Sequence, residues 1–129
     1  MNTAPVTPVL VYEDIEAGHD YLVKAFGFTS GGVQRLGDGT VVHGEVVHGD
    51  AVIWLHRVAA EHEMASPRDL PASHGGLSIL IPAVDGHYER SKAAGAIIEA
   101  VPTDQLYGLR EYGARDPEGH RWWFFTPIT

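Results

Sequence analysis

An internal repeat constrains the fold of this chain more than any other feature of its sequence. Residues 18–27 (GHDYLVKAFG) align with residues 86–95 (GHYERSKAAG), and half of the aligned positions are identical. The identical pairs are Gly18/Gly86, His19/His87, Lys24/Lys92, Ala25/Ala93 and Gly27/Gly95. Such self-similarity indicates two copies of one supersecondary unit, and a single copy cannot bury its apolar face alone. The sequence therefore predicts that two copies combine into one core.

The order of the predicted elements repeats with the same period. Apolar patterning predicts strands at 9–11, 33–36, 40–47 and 51–57, and again at 77–81, 97–101, 111–114 and 121–125. One helix follows the first strand of each half. Asp14 is expected to cap the first helix and Asp85 the second, which Gly95 ends. The predicted fold class is α+β, built from two βαβββ modules.

The length of the chain fits one domain that contains both modules. We expect a single domain over residues 1–129, with module 1 at 1–60, a linker at 61–73 and module 2 at 74–129. The linker is predicted because residues 66–71 (SPRDLP) combine proline with polar residues and interrupt the strand pattern.

Composition excludes several classes of function. A formal net charge of −8 argues against nucleic acid as a partner, while it suits a cationic ligand or simply a soluble surface. The chain has no cysteine, so disulfide and thiolate chemistry are excluded. No apolar run is long enough to span a membrane and residues 1–6 do not resemble a secretory signal, so a cytoplasmic location is expected. Motifs of nucleotide binding, serine hydrolysis and zinc proteolysis are missing.

Three stretches carry a resemblance to a known family. They lie within residues 14–28, with FGF at 26–28, within residues 43–50, with HGE at 43–45, and within residues 107–123, which end in RDPEGHRWW. With them the chain resembles the vicinal oxygen chelate superfamily, which includes glyoxalase I, extradiol dioxygenases, fosfomycin-resistance enzymes and bleomycin-resistance proteins. The resemblance implies a cup-shaped mixed β-sheet with helices on its outer face, a pocket inside the cup, and a homodimer. It leaves open whether one chain or two form the pocket.

The metalloenzymes of that superfamily hold a divalent ion with four side chains from the first and last strands of each module. The resemblance places these four positions at Thr7, Trp54, Gly76 and Trp123. None is a usual ligand, since glycine has no side chain and an indole N–H only donates. We therefore expect no metal cofactor there. The alternative is a divalent ion on a relocated set, namely His43, Glu45 and His56.

Strand alternation predicts which side chains face the inside of the cup. The expected ligand-binding residues are Trp54, Trp123, His43, Glu45, His56, Tyr107 and Glu111. On the opposite face, Trp122 and Phe124 are expected in the core. Tyr107 could be a pocket lid or a loop anchor. His19 and His87 are expected to be exposed or capping residues, and Arg110, Arg115 and Asp116 to brace the turn before the last strand.

The favoured function is binding of an aromatic or cationic small molecule, without a metal, as in sequestration of an antibiotic. Indole faces suit such ligands through stacking and cation–π contact. The alternative is an enzyme of lyase, isomerase or dioxygenase type, which uses either the relocated metal set or acid–base catalysis by His43 or His56 with Glu45. A third possibility is a vestigial module used only for protein contacts, in which side chains such as Trp54 and Trp123 fill the cup themselves.

Overall fold

The computed structural model describes residues 1–128, which form two successive βαβββ modules. The first consists of β1 (Val9–Tyr12), α1 (Ile15–Lys24), β2 (Thr29–Arg35), β3 (Val41–His48) and β4 (Ala51–Arg57). The second consists of β5 (Gly76–Leu80), α2 (Val84–Ala93), β6 (Ile97–Asp104), β7 (Leu109–Arg115) and β8 (Arg121–Pro127). Between them lie two single turns of 3-10 helix, Ala60–His62 and Pro67–Asp69.

Each module forms its own four-stranded sheet, and the two sheets have the same topology. Their strand orders are β1-β4-β3-β2 and β5-β8-β7-β6. The first strand pairs with the last in parallel, and the other neighbours are antiparallel. The predicted α+β class with two similar modules is confirmed, because the repeat seen in the helices extends to the pairing of all the strands.

The first helix begins where its sequence predicts. The carboxylate of Asp14 accepts a hydrogen bond of 3.0 Å from the backbone N–H of Ala17, which satisfies one free donor of the first turn. Ile15 and Leu22 turn inward and are buried. Gly18 lets the ring of Tyr12 pack against the helix, since a Cβ at that position would lie 2.7 Å from the ring.

The predicted cap of the second helix is wrong. The helix α2 begins at Val84 rather than after Asp85, and its N-cap residue Ala83 makes no side-chain hydrogen bond. Instead the hydroxyl of Thr126, at the end of β8, accepts a hydrogen bond of 3.1 Å from the N–H of Val84. The carboxylate of Asp85 lies within the first turn and binds the guanidinium of Arg110. A residue from the neighbouring strand has therefore replaced the local capping signal.

The helix-covered faces of the two sheets share one apolar core. The ring of Phe28, which follows α1, lies 5.4 Å from Trp122 of β8, and the ring of Phe26 lies 4.9 Å from Phe124. Trp122 and Phe124 are fully buried, as alternation predicted. Because the core forms between the helix-covered faces, the faces that carry Trp54 and Trp123 are turned away from it.

Buried polar contacts also join the modules, and they converge on the turn at residues 116–119. Asp116 accepts hydrogen bonds from the hydroxyl of Tyr12 at 2.5 Å and the indole N–H of Trp122 at 3.2 Å. Burial and the neighbouring Asp116 raise the pKa of Tyr12 well above its usual value. Glu118 accepts from the backbone N–H groups of Glu13 and Asp14. These contacts tie the end of β1 to the start of β8.

Two further predictions about polar residues are wrong. Arg110 does not brace the turn at 116–119, because its guanidinium pairs with Asp85 and Asp104. Neither repeated histidine is an exposed or capping residue. His19 is buried and binds the hydroxyl of Ser30, whereas His87 is half-buried between Tyr112 and the carbonyl of Phe26. Within residues 1–128 no helix has the length and apolar character needed to cross a membrane.

Candidate functional site

Four of the predicted site residues lie side by side on the first sheet. In the antiparallel pairing of β3 with β4, Glu45 is the partner of Trp54 and His43 is the partner of His56. Residues that are directly opposite across two strands project from the same face of the sheet. The imidazole of His43 contacts the indole of Trp54 edge-on, with ring centres 5.6 Å apart. The structure thus brings His43, Glu45, Trp54 and His56 together, as strand alternation predicted.

Glu45 is the electrostatic centre of this group. Its side chain is almost fully buried, and its Oε2 accepts a hydrogen bond of 2.8 Å from Nε2 of His43. Burial alone would raise the pKa of Glu45, but N–H groups of Asn2 and the imidazole of His43 together hold that pKa below its usual value. The carboxylate is therefore kept ionised in a site that is largely shielded from water.

Asn2 also belongs to this site, although no pattern in the sequence predicts it. Its backbone N–H and side-chain amide both donate to Oε1 of Glu45, at 2.9 and 3.0 Å. Its carbonyl accepts a hydrogen bond of 3.2 Å from the indole N–H of Trp54. No periodicity or motif marks residues 1–8, because these contacts join residues more than forty positions apart. The N-terminal segment therefore lies across the Glu45 and Trp54 face.

Trp123 occupies the corresponding place on the second sheet. Trp54 pairs with Val9 of β1, and Trp123 pairs with Ser78 of β5 in the same parallel register. The indole of Trp123 extends across the sheet between two glycines. A Cβ at Gly113 would lie 3.3 Å from its pyrrole ring, and a Cβ at Gly76 would lie 2.7 Å from its benzene ring. The ring rests on bare backbone, and its outer side is partly exposed.

The last two predicted site residues are neighbours on one hairpin. Tyr107 lies in the turn between β6 and β7, with 63% of its surface exposed, and its hydroxyl donates a hydrogen bond to Glu111. This hydrogen bond raises the pKa of Tyr107. Glu111 pairs with Phe125 of β8, as His43 pairs with His56 in the first module.

The predicted residues therefore form two groups, one on each sheet. No hydrogen bond or ring contact within residues 1–128 connects the group around Trp54 with Trp123, Tyr107 and Glu111. Three clefts of the single chain lie elsewhere. One of about 520 Å³ separates β1 from β5, one of about 380 Å³ adjoins the linker, and one of about 420 Å³ adjoins Asp85 and Arg110. None of these three is lined by Trp54 or Trp123.

The residues present do not fit a metal ion at the positions that the resemblance implies. The N–H of Trp54 is a donor and is already bound to a carbonyl. Gly76 cannot be exchanged for a ligand residue without displacement, because a Cβ there would lie 2.4 Å from the carbonyl oxygen of Arg121. His43, Glu45 and His56 do not form a relocated set either: within residues 1–128 no three His, Asp or Glu side chains converge as ligands would.

Comparison with known proteins places this geometry in a family. A model of the Glyoxalase/Bleomycin resistance protein/Dioxygenase superfamily matches residues 5–124. Uncharacterized proteins of Mycobacterium bovis and Mycobacterium tuberculosis are 30% identical over 135 residues, which cover 99% of this chain and 87% and 78% of those proteins, respectively.

Solved structures agree with that match. TioX from Micromonospora sp. ML1 is 30% identical, with a TM-score of 0.75 over 98% of this chain and 100% of TioX. A glyoxalase/bleomycin resistance protein/dioxygenase family enzyme from Burkholderia phytofirmans PsJN has a TM-score of 0.72 at 17% identity, over 98% of this chain and 100% of that chain. At that identity the second likeness concerns the fold alone.

Proposed function

We propose a function that starts from one premise: the chain belongs to the Glyoxalase/Bleomycin resistance protein/Dioxygenase superfamily. Within it, we propose that this protein is a binding protein that holds a small aromatic or cationic compound without a metal ion. Sequestration of such a compound is the role of a resistance protein, one of the three kinds of protein in the superfamily's description. The family explains the fold, and the side chains on the two sheets support this choice among its functions.

The orientation of Trp123 is the observation that carries the proposal. An indole that rests on two glycines presents one large apolar face outward and leaves no room beneath it for another group. Such a face can stack on a planar ring or contact a cation, and each contact contributes roughly 0.5–2 kcal/mol. Gly76 and Gly113 both allow the ring to rest there. The exposed indole face therefore depends on three residues from three different strands.

The first sheet supplies the electrostatic part of the site. The ionised carboxylate of Glu45 lies beside the indole of Trp54, and the protein as a whole carries a formal charge of −8. A carboxylate in a partly dry site attracts a cation more strongly than one in water, because the surrounding dielectric is low. Both features favour cationic aromatic compounds over anionic ones.

We propose that a second copy of the chain covers the exposed faces of the two sheets. The two modules of one chain bury their helix-covered faces against each other, and apolar side chains on the opposite faces stay exposed. On β1 and β5, Val9 is 45% exposed and Leu80 is 56% exposed. Contiguous exposed apolar surface marks interaction sites, and we propose that these residues form part of such a surface. A homodimer would close the two half-sites into pockets and exclude water from the ligand.

Titration of tryptophan fluorescence tests the proposal. Ethidium and acridine orange serve as cationic polycyclic probes, and naphthalenesulfonate serves as an anionic aromatic control. We expect the cationic probes to quench the wild-type protein at micromolar concentrations. Trp123→Leu should weaken their binding by about 2 kcal/mol, roughly thirtyfold, as loss of a central aromatic anchor does. No quenching by any probe, or equal binding to the variant, would refute the proposal.

One observation favours a second candidate function, acid–base catalysis without a metal. His43 and Glu45 are 2.8 Å apart, and a carboxylate that orients an imidazole is a common arrangement in general-base catalysis. In this arrangement Nδ1 of His43 would accept the proton of a substrate. A candidate reaction that proceeds equally fast in His43→Gln would exclude this function, whereas a loss of two or more orders of magnitude would support it.

A further inference from the structure

The way Asn2 sits on the first sheet points to the kind of ligand this site takes. Glu45 accepts the backbone N–H of Asn2, and the indole N–H of Trp54 donates to the carbonyl of the same residue. A carboxylate thus accepts from the backbone N–H of one amino-acid residue, and an indole donates to the C=O of the same residue. We propose that this site takes a peptide-type compound, whose amide N–H and C=O replace those of Asn2. The inference rests on the proposed binding function.

The burial of Glu45 sets the first requirement for such a ligand. Only 1% of its surface is exposed, its Oε2 is bound by His43, and its Oε1 receives two N–H groups from Asn2. A buried carboxylate oxygen that loses its donors incurs a desolvation cost of several kcal/mol. A molecule that displaces Asn2 must therefore bring an N–H donor to the same oxygen.

Trp54 sets the second requirement. Its indole N–H can only donate, so the ligand must offer an acceptor beside its donor. An ammonium group would satisfy Glu45 and leave the N–H of Trp54 unpaired, and a carboxylate would satisfy Trp54 and be repelled by Glu45. An amide-bearing residue satisfies both at once, as Asn2 does.

The absence of a side chain at Gly31 lets Asn2 lie close to Glu45. Gly31 of β2 faces this point, where a Cβ would lie 2.7 Å from Cβ of Glu45 and 2.9 Å from Nδ2 of Asn2. A side chain at position 31 would occupy the place that Asn2 now fills. The second sheet has no equivalent of this polar pair, because the partner of Trp123 on β7 is Gly113 rather than a glutamate. Amide recognition therefore belongs to the first sheet and stacking to both.

Three probes that differ only in one hydrogen-bonding group test the inference. They are 2-naphthoyl-glycine N-methylamide, its analogue methylated at the glycine nitrogen, and its methyl ester. All three carry the same ring, and their dissociation constants are measured by calorimetry together with quenching of tryptophan fluorescence. We expect the N-methylated probe to bind at least about tenfold more weakly than the parent, because its hydrogen bond to a charged group is lost. The ester keeps the glycine N–H and has a weaker carbonyl acceptor, so it should bind more weakly than the parent by a smaller factor.

Matched variants locate the effect on the protein. Glu45→Gln removes the charge from the first sheet and should reduce the preference for the parent amide, whereas Glu89→Gln makes the same change at an exposed position of α2, outside the candidate site, and should not. Trp54→Phe keeps an aromatic ring, removes the N–H, and should weaken the parent probe. Circular dichroism shows whether Glu45→Gln is folded, and the comparison of probes on the wild type is independent of it.

The outcomes separate this inference from the proposed function. Equal binding of all three probes would overturn amide recognition and leave a binding protein that uses aromatic contacts. An equal loss of preference in Glu45→Gln and Glu89→Gln would also overturn it, since Glu45 would then have no special role. Failure of the three naphthoyl probes and of the cationic dyes alike would overturn both proposals.

Discussion

Gly76 leaves no room for a side chain where β5, the first strand of the second module, pairs with β8, the last. At Gly76 an added Cβ would lie 2.4 Å from the carbonyl oxygen of Arg121 and 2.7 Å from the indole of Trp123. The first of these neighbours is backbone and cannot move without disturbing the pairing of β5 with β8. The lack of a metal-ligating side chain at position 76 and the placement of the Trp123 indole therefore have the same structural cause.

Substitution of glycine by alanine at two positions tests whether position 76 lacks room for a side chain. Gly76→Ala should lower the free energy of unfolding by about 1–3 kcal/mol, because overpacking forces backbone and indole apart. Gly86→Ala is the matched control. Gly86 lies in α2 with no atom within 4 Å of its Cβ position, so alanine should raise the free energy of unfolding by about 0.5–1 kcal/mol. Urea unfolding measures both values, and equal values for the two variants would contradict this account.

Sequence reasoning succeeds at those residues where the deciding pattern is local. Alternation along β4 and β8 predicted the faces of Trp54, Trp122 and Trp123, since the period of a strand is fixed by its backbone. It failed at Asn2, whose role depends on hydrogen bonds to Glu45 and Trp54 across the chain. The bare backbone beneath Trp123 was also out of reach, because it requires glycines from two other strands.

Among the helices and strands, α2 has the weakest local sequence signals for its own formation. It has no side-chain cap and buries only Val84 and Ser91. Contacts with the other module hold it in place instead. The hydroxyl of Ser91 donates to the carbonyl of Ala25, and Nε2–H of His87 donates to the carbonyl of Phe26, at 3.0 and 2.7 Å. The prediction that Asp85 caps this helix was wrong because a contact with Thr126, rather than a local signal, satisfies its first turn, whereas Gly95 ends the helix as predicted, with a φ of 91°.

The stability of this element should depend on pH through His87. Burial lowers the pKa of His87 below its usual 6.5; the carbonyl of Phe26 opposes this, and the charges of Arg90 and His48 add to it. The other ring nitrogen, Nδ1, accepts from the hydroxyl of Tyr112, whose pKa burial raises to about 12. The contact with Tyr112 requires the neutral imidazole, whereas the contact with Phe26 does not, and burial is the main reason that protonation is disfavoured in the folded protein.

The sign of the effect follows from this lowered pKa. As the pH falls below the usual value of 6.5, the unfolded chain takes up a proton that the folded protein resists, and stability is lost until the pH reaches the folded pKa. We expect the free energy of unfolding to decrease from pH 7.5 to pH 5 in the wild type. His87→Gln can keep a donor and an acceptor without titrating, and should show a smaller decrease. A slope as steep as that of the wild type would exclude His87 as the cause.

At the scale of the whole molecule, the repeat predicted two modules but not how they dock. Duplication was visible because equivalent helices kept the same residues at the same spacing. The docking depends on pairs far apart in the chain, such as Tyr12 with Asp116 and Glu13 with Glu118. The motif at residues 115–123 contains both acceptors, yet their donors lie about a hundred residues earlier. Local patterns carry no information about such partners.

A shared core implies that the two modules unfold together. Phe26 and Phe28 of the first module pack on Trp122 and Phe124 of the second, so neither sheet keeps its apolar face covered without the other. In Trp54→Phe both remaining indoles belong to β8, so fluorescence then reports on the surroundings of this one strand, whereas far-ultraviolet circular dichroism reports on the secondary structure of both modules. We expect the two urea transitions of this variant to coincide, as for one cooperative unit.

Protein concentration provides an independent variable in the same experiment. If two chains close the pockets, folding is coupled to association, and the shared midpoint should rise with protein concentration while the two transitions continue to coincide. Coinciding transitions at a constant midpoint would contradict the dimer and keep the single core. Two separate transitions would contradict the single core, since the second module could then lose its indole environment while the first kept its secondary structure. The contacts of Phe28 with Trp122 argue against that last result, because they are lost when either module opens.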